Sequence, residues 1–281
     1  MVEKAAAHAE QVLSVVQGDK AFPSLETSIT RSWLRCVERY GLDPVRSHQT
    51  QVLESPYVRE HQERFDDLLD IARTETSNLY QRIAGSGFAV ILTDSDGVIV
   101  NWTADAGLSK PFERAGLWLG AVWDEQNEGT NGIGTVLIER KALTVHCNEH
   151  FLSQHGLLTC SAAPIFDPRG QLLAVLDISS VSSQDSKQSQ LHTLALAALS
   201  ARTIEHGCFL RAFREQRVLR FHQRTEYIGQ GGEGLLAFDE DGRILAVNQN
   251  AADQLHQSRA QLVGRPVQAL FASGLDALLG Q

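Results

Sequence analysis

At Gly85 the hydrophobic period of this chain changes, and that change restricts what it can fold into. Before it, apolar residues recur at helical spacing. Ile29, Trp33, Leu34 and Val37 mark one helix face, stopped by Gly41 with Pro44 just beyond. A second helix is predicted to begin at Ser55-Pro56, a cap followed by proline at the first helical position, and to carry Phe65, Leu69, Ala72, Leu79 and Ile83 on one face. After Gly85 the runs are short and rich in β-branched residues. Segments 88–92 and 98–100 flank Asp94-Ser-Asp-Gly97, a hairpin signal. Three more strands are predicted at 143–147, 157–166 and 172–178, the last two joined by the turn Asp167-Pro-Arg-Gly170. Helices at 104–114 and 131–140 separate the first pair of strands from the other three. The pattern predicts an α+β fold: an antiparallel five-stranded sheet flanked by helices.

Around this sheet the chain divides into four expected parts: an N-terminal helical segment at 1–84, the sheet domain at 85–184, a linker helix at 185–228 and a partial domain at 229–281. In the linker, Leu194, Ala198, Ala201, Ile204 and Cys208 alternate steps of four and three residues. That spacing predicts a coiled-coil seam joining two copies, with Gly207 a candidate break. Beyond Gly229 the strand pattern returns and Asn248 ends a second strand before a helix, with only about 50 residues left. Asp239-x-Asp241-Gly242 repeats the hairpin chemistry of Asp94-x-Asp96-Gly97.

Composition excludes several roles. A formal net charge of -9 argues against a DNA-contacting surface. No apolar run approaches the roughly 20 residues of a membrane span, and the N-terminus lacks a secretory signal. The four cysteines show no CxxC spacing, which fits reduced thiols in the cytoplasm.

The segment Trp123-Asp-Glu-Gln-Asn-Glu-Gly-Thr-Asn-Gly-Ile-Gly-Thr135 packs three glycines, two asparagines and two threonines after an aromatic residue, a composition suited to close backbone approach. It is followed by Glu149-His150-Phe151, then Leu158-Thr-Cys-Ser-Ala-Ala-Pro-Ile-Phe-Asp167, then Leu173-Ala-Val-Leu-Asp-Ile-Ser179. In that order these blocks resemble the GAF sensor domain of sigma-54-dependent, Fis-type bacterial activators of the acetoin/glycerol (dihydroxyacetone) catabolism branch. Ser32-Trp-Leu-Arg-Cys-Val-Glu-Arg-Tyr-Gly-Leu-Asp-Pro44 resembles the N-terminal segment of that branch, and the part beyond Gly229 resembles the opening of a PAS domain.

The resemblance implies a cytoplasmic regulatory region that binds a small-molecule effector, or a regulatory partner protein, and is not an enzyme. It also implies an AAA+ ATPase and a helix-turn-helix domain elsewhere in a parent protein. Neither the phosphate loop of such an ATPase nor a basic recognition helix is found here. Contacts with DNA and sigma-54 RNA polymerase are therefore expected only of those other domains.

A pocket for a small polar molecule needs apolar walls and a few placed polar groups. Trp102, Trp118 and Trp123 are candidates for the walls, each with an indole donor. Thr130, Asn131, Cys160, Ser161 and Asp177 are candidates for the polar contacts. Each has a plainer reading: the indoles as packing, Asn131 as a helix cap, Asp177 bonded to a loop amide. Cys160 and Ser161 are neighbours in a strand, so only one faces a cavity. The acidic Asp124, Glu125 and Glu128 argue against phosphate binding by the glycines. His146-Cys147 with Glu149-His150 has metal-ligand chemistry, but His146 and Cys147 are expected to face opposite ways in a strand, so no metal or cofactor is expected. No base or oxyanion site is spaced to serve Cys160, so no catalytic residue is assigned. Two alternatives remain: a docking and dimerisation module with a filled interior, and a metal- or redox-sensing GAF domain.

Overall fold

Two N-terminal helices begin the chain, α1 (Val2–Val16) and α2 (Thr27–Leu34), in a computed structural model that describes residues 2–18, 26–181 and 186–271. Residues 182–185 and 272–281, which carry the expected boundaries at 184 and 185 and the end of the last segment, lie outside the described residues. Helix α2 buries Ile29 and Trp33, continues through a π turn at Arg35–Arg39, and stops where Gly41 adopts φ 63°.

The single helix expected after Ser55 is two. Helix α3 (Ser55–Arg64) has its proline in the first turn, and α4 (Asp66–Ile83) follows. Phe65 separates them by leaving helical geometry at φ -120° and ψ 18°. Its amide still donates to Gln62 and its carbonyl still accepts from Leu69, so the break strands neither group.

The sheet has five strands in the order β2-β1-β5-β4-β3: β1 (Phe88–Asp94), β2 (Ile99–Thr103), β3 (Leu143–His146), β4 (Thr159–Phe166) and β5 (Leu172–Ser180). Ile91 of β1 lies opposite Trp102 of β2 on one side and Asp177 of β5 on the other. Directly opposed residues share a face, so Trp102, Ile91 and Asp177 form one row. In the same way Val145 of β3 opposes Cys160 of β4. Between β2 and β3 come α5 (Ser109–Arg114), α6 (Glu125–Glu128) and α7 (Gly132–Glu139). Helix α7 packs on β5 and β3, covering the face that carries Asp177. Helix α4 packs on β1 and β2 from the opposite face, where Asn101 donates to Thr76 at 3.1 Å.

The described residues divide into two compact units, one within 1–165 and 172–201, the other within 166–171 and 202–271. Helix α8 (Gln190–Ala212) continues through Gly207 without a break. One helical glycine costs about 1 kcal/mol, and burial of Ile204 and Phe209 on either side outweighs it. The helix ends at Ala212, not near 227 as the sequence suggested. Residues Arg217–Phe221 instead form β6, which pairs with β7 (Gly234–Phe238), itself paired with β8 (Ile244–Val247). Without β6, one edge of β7 would be left with open hydrogen-bonding groups. Asn248 caps α9 (Gln249–Leu255) and also accepts from Leu235, and α10 (Arg259–Leu262) follows.

The expected α8 seam is partly consumed within the chain: Ala201 and Ile204 are 2% and 0% exposed. Apolar or small residues of α8 that face outward include Leu191, Ala195 and Leu199, with Leu191 at 62% and Leu199 at 60%. Among the described residues no helix is long and apolar enough to cross a membrane.

Candidate functional site

Strand alternation places Asp177 and Ser179 on the face covered by α7, together with Ile91 and Ala89 of β1. Asp177 is fully buried, and its Oδ2 accepts from the Ser179 hydroxyl. Its Oδ1 has no hydrogen-bond partner among the described residues. Burial pushes this carboxyl up to about 7, against a smaller opposing effect of the Ser179 bond. Gly132 closes over it. A Cβ on Gly132 would stand 2.5 Å from Cys160 Cβ and 3.1 Å from Asp177 Oδ1, so only glycine lets the first turn of α7 lie this close to the sheet.

From Cys160 a line of polar groups runs outward. Its Sγ lies 3.5 Å from His150 Nε2, and His150 Nδ1 lies 3.0 Å from the Cys147 carbonyl. Burial drives His150 down to about 3, so this imidazole is neutral at physiological pH. Burial likewise raises the Cys160 thiol, which is inert as a nucleophile. His155 packs 6.3 Å from His150 and 4.9 Å from Trp123, ring centre to ring centre. His155 Nε2 meets Glu128 Oε2 at 2.8 Å, and His48 Nε2 meets the other oxygen at 3.1 Å. Burial would raise the Glu128 carboxyl, but the two imidazoles outweigh it and hold it below the usual range. The line reaches the surface at a cleft of about 100 Å³ beside His48, Gln126 and Asn127.

The N-terminal helices cover this side. Ser32 donates to Glu125 and lies 2.6 Å from Thr130 Oγ1. Arg35 clamps Glu125 at 2.7 and 3.0 Å and reaches Glu139 at 2.8 Å. Trp33 Nε1 donates to the Glu149 carbonyl at 2.9 Å, and His8 Nε2 lies 3.1 Å from that of Phe151. Val12, Ile29, Trp33 and Cys36 share a core with Val136, Val145, Phe151 and Val175. The first helices thus complete the sheet domain.

The residues singled out in the sequence fall into three groups. Trp102, Cys160 and Asp177 share the covered face, with Trp102 and Trp123 packed into the same core as Ile91 and Cys160. Trp102 packs at a tilt against Trp118 at 4.5 Å and edge-on against Phe112 at 5.9 Å, ring centre to ring centre. Trp123 is fully buried and spends its indole donor on the Gly116 carbonyl at 2.7 Å. Thr130 and Asn131 hold the loop: Thr130 by its bond to Ser32, Asn131 by capping α7 through Gly134 at 2.8 Å and donating to Gly129. Ser161 faces the other way, bonded to Thr144 at 2.9 Å.

His146 and Cys147 do not diverge as an extended strand would make them. Cys147 has left the strand at φ 48°, and this turn brings its Sγ to 3.5 Å from His146 Nε2. His150 follows the short helical turn Cys147–Glu149. Among the described residues, the group of three that could share an ion is His61, Asp94 and Asp96, outside this site. His150, His155, Glu128, His48, Ser32 and Arg35 were not read from the sequence as site residues; only folding brings them together.

A five-stranded antiparallel sheet with a buried polar cluster under a glycine-rich helix start defines a small sensor domain. Residues 67–207 match the GAF domain model, and the chain belongs to that family; residues 229–280 match the PAS fold. The chain is 42% identical over 255 residues to the acetoin catabolism regulatory protein of Cupriavidus necator, covering 89% of this chain and 38% of that protein. It is 30% identical over 155 residues to the acetoin dehydrogenase operon transcriptional activator AcoR of Bacillus subtilis, covering 55% of this chain and 26% of that protein. The chain thus spans well under half the length of these relatives, which are a regulatory protein and a transcriptional activator. Its fold is also that of a chain in the crystal structure of the E. coli DhaR(N)-DhaL complex, with a TM-score of 0.61 at 18% identity, covering 87% of this chain and 81% of that one.

Proposed function

We propose that this chain is the cytoplasmic sensor region of a sigma-54-dependent activator, and that its GAF domain binds a small neutral metabolite of hydroxy-ketone or diol type. The observation that supports this is Asp177: a fully buried carboxyl with one oxygen unpartnered, facing the underside of a glycine-rich helix start. An unmet buried acceptor costs about 1–3 kcal/mol, which a hydroxyl-bearing ligand would recover. No arginine or lysine is among the buried charged residues described, so an anionic effector would find only the acid. Binding against Asp177 displaces the 129–134 loop. Because Glu125 and Thr130 are tied to Ser32 and Arg35, the displacement is felt in α2 and shifts the population of conformations. In the parent protein, this shift controls an AAA+ ATPase that acts on sigma-54 RNA polymerase and a DNA-binding domain. The exposed Leu191, Ala195 and Leu199 stripe on α8 is the surface through which two copies pair.

Calorimetric titration with acetoin, 2,3-butanediol, glycerol and dihydroxyacetone tests the proposal. Saturable heat from one of them, abolished in Asp177→Ala while circular dichroism is retained, supports it. Silence from all four overturns it and favours a second reading, docking of a partner protein, which the fold shared with a chain crystallised in a two-protein complex supports. Light scattering tests the pairing: a monomer mass at high concentration removes it.

A further inference from the structure

The turn that ends β3 brings together a thiol and an imidazole that the effector reading leaves unused. Cys147 adopts φ 48°, a left-handed backbone uncommon for a residue other than glycine, and its Sγ comes to 3.5 Å from His146 Nε2. The far side of that ring is fixed. His146 Nδ1 lies 2.9 Å from Thr159 Oγ1 on β4, and the ring accepts from the Glu149 amide. Glu149 in turn accepts from the His146 amide through one carboxylate oxygen and from Lys187 through the other, so both its oxygens are engaged. A nucleophile, a ring within its reach and groups that orient the ring are the parts of an assisted thiol. Cys147 is partly exposed, whereas Cys36 and Cys160, the other cysteines of the same unit, are buried. A sulfur that reaches Cys147 therefore comes from solution.

We infer that Cys147 is a modification site, exchanging with a small disulfide from solution, and that His146 assists the exchange. The inference does not depend on the effector reading. The thiol gives up its proton, and the Cys147 sulfur attacks one sulfur of the disulfide. A new S–S bond forms as the old one breaks, and the electron pair leaves on the second sulfur, which takes up a proton. Cys147 is thereby oxidised, the released half is reduced to a thiol, and excess reduced thiol reverses the step. His146 serves the sulfur in either tautomer: a bare Nε2 accepts the thiol proton, and an Nε2–H donates to the thiolate. The turn also leads inward. The Cys147 carbonyl accepts from the His150 amide and from His150 Nδ1–H, each at 3.0 Å, which leaves His150 Nε2 as the acceptor facing Cys160 Sγ. A group added to Cys147 draws its sulfur off His146 and disturbs this turn, and His150 carries the change to the covered face of the sheet.

The test is reaction of the native chain with dithiobis-nitrobenzoate, followed by release of the coloured thiolate, in the wild type, Cys147→Ser, Cys208→Ser and His146→Gln. A fast phase is expected in the wild type and in Cys208→Ser and is absent from Cys147→Ser. In His146→Gln it should slow about tenfold at pH 7 and regain the wild-type rate by about pH 9, where an ordinary thiol ionises unaided. A change that merely loosened the turn would alter the rate alike at both pH values. Oxidised glutathione should add to the wild type and lower its thermal midpoint by a few degrees, an effect undone by dithiothreitol and missing in Cys147→Ser. Circular dichroism checks that each variant is folded. A fast phase that survives in Cys147→Ser, or a His146→Gln rate equal to the wild type at pH 7, overturns the inference. A glutathione adduct that melts like the unmodified chain removes the link through His150. Each of these results leaves the effector titrations untouched.

Discussion

The two faces of the five-stranded sheet are built from the same strands and do different work. On β5, Leu176 and Ile178 point to one face and Asp177 and Ser179 to the other, the two pairs alternating along four consecutive residues. Along β1 and β5 the first face is apolar: Leu176 opposes Leu92, Ile178 opposes Val90, all four are buried, and α4 packs there with Leu69, Ala72 and Leu79 buried. The second face mixes Ile91 and Ala89 with Asp177, Ser179 and Cys160, and is covered by a glycine-rich loop held through ion pairs to the N-terminal helices. One face is closed by hydrophobic burial, which any well-fitting side chains supply. The other is closed by hydrophobic burial as well, and in addition by directional bonds around an unmet acceptor. A domain can thus carry a costly polar group at its centre where apolar packing on both faces of the strand surrounds it.

That contrast is open to direct attack, beginning with the cover. Arg35→Met leaves Glu125, which is 2% exposed, without its bidentate partner and removes the bond to Glu139 as well. Unpairing a buried charge costs about 3–5 kcal/mol, so the urea midpoint should fall steeply. A shift within error would show that the loop is not held by charge. On the apolar face, Leu176→Ala should cost about 2–5 kcal/mol through lost burial and a residual cavity. Its effector affinity should match the wild type wherever the variant is folded. Altered affinity there would mean that the faces are not independent.

The apolar face was the legible one. Its strands announce themselves through period-2 alternation and β-branched runs, and all five were placed within a few residues. The Asn131 cap and the opposed directions of Cys160 and Ser161 were also readable, because both follow from local geometry. The polar face was only half readable. Asp177 stood out as a carboxylate in an apolar strand, whereas Thr130 meets Ser32 across 98 residues and Glu128 meets His48 across 80. No spacing rule connects residues so far apart. Cys147 misled because its left-handed backbone comes from the tertiary turn at the end of β3, not from its residue type. The helix expected to run to 227 failed for a related reason: the segment at 217–221 becomes a strand because β7 is there to pair with it.

A smaller effect is expected at the point where cover meets sheet. Gly132→Ala places a methyl 2.5 Å from Cys160 Cβ, a contact that must be relieved by moving α7 away from β4. Overpacking of this kind costs about 1–3 kcal/mol. A thermal melt should show the loss, and Cys160→Gly in the same chain should recover part of it. If the double variant gains nothing, the close approach of α7 to Cys160 is not what fixes glycine at this position.

The smallest effect separates the faces by their response to protons. Asp177 titrates at about 7 in the folded chain against an ordinary 3.8, because burial disfavours its charged form. The folded state therefore holds a proton that the unfolded state releases, and the stability this gives is lost as pH rises through 7. His150 works in the opposite sense, since burial lowers it from 6.5 to about 3; its contribution is lost only as pH falls below about 6.5. Between pH 6.5 and 8 the Asp177 contribution falls by on the order of 1 kcal/mol, while those of His150, His8 and His206, whose charged forms burial also disfavours, rise as the unfolded chain finishes releasing its protons. Asp177→Asn keeps the shape but cannot titrate, so in urea unfolding across that range its stability should rise relative to the wild type by on the order of 1 kcal/mol, and Leu176→Ala should keep the wild-type slope. An Asp177→Asn profile that runs parallel to the wild type would show that Asp177 is not the group that titrates there.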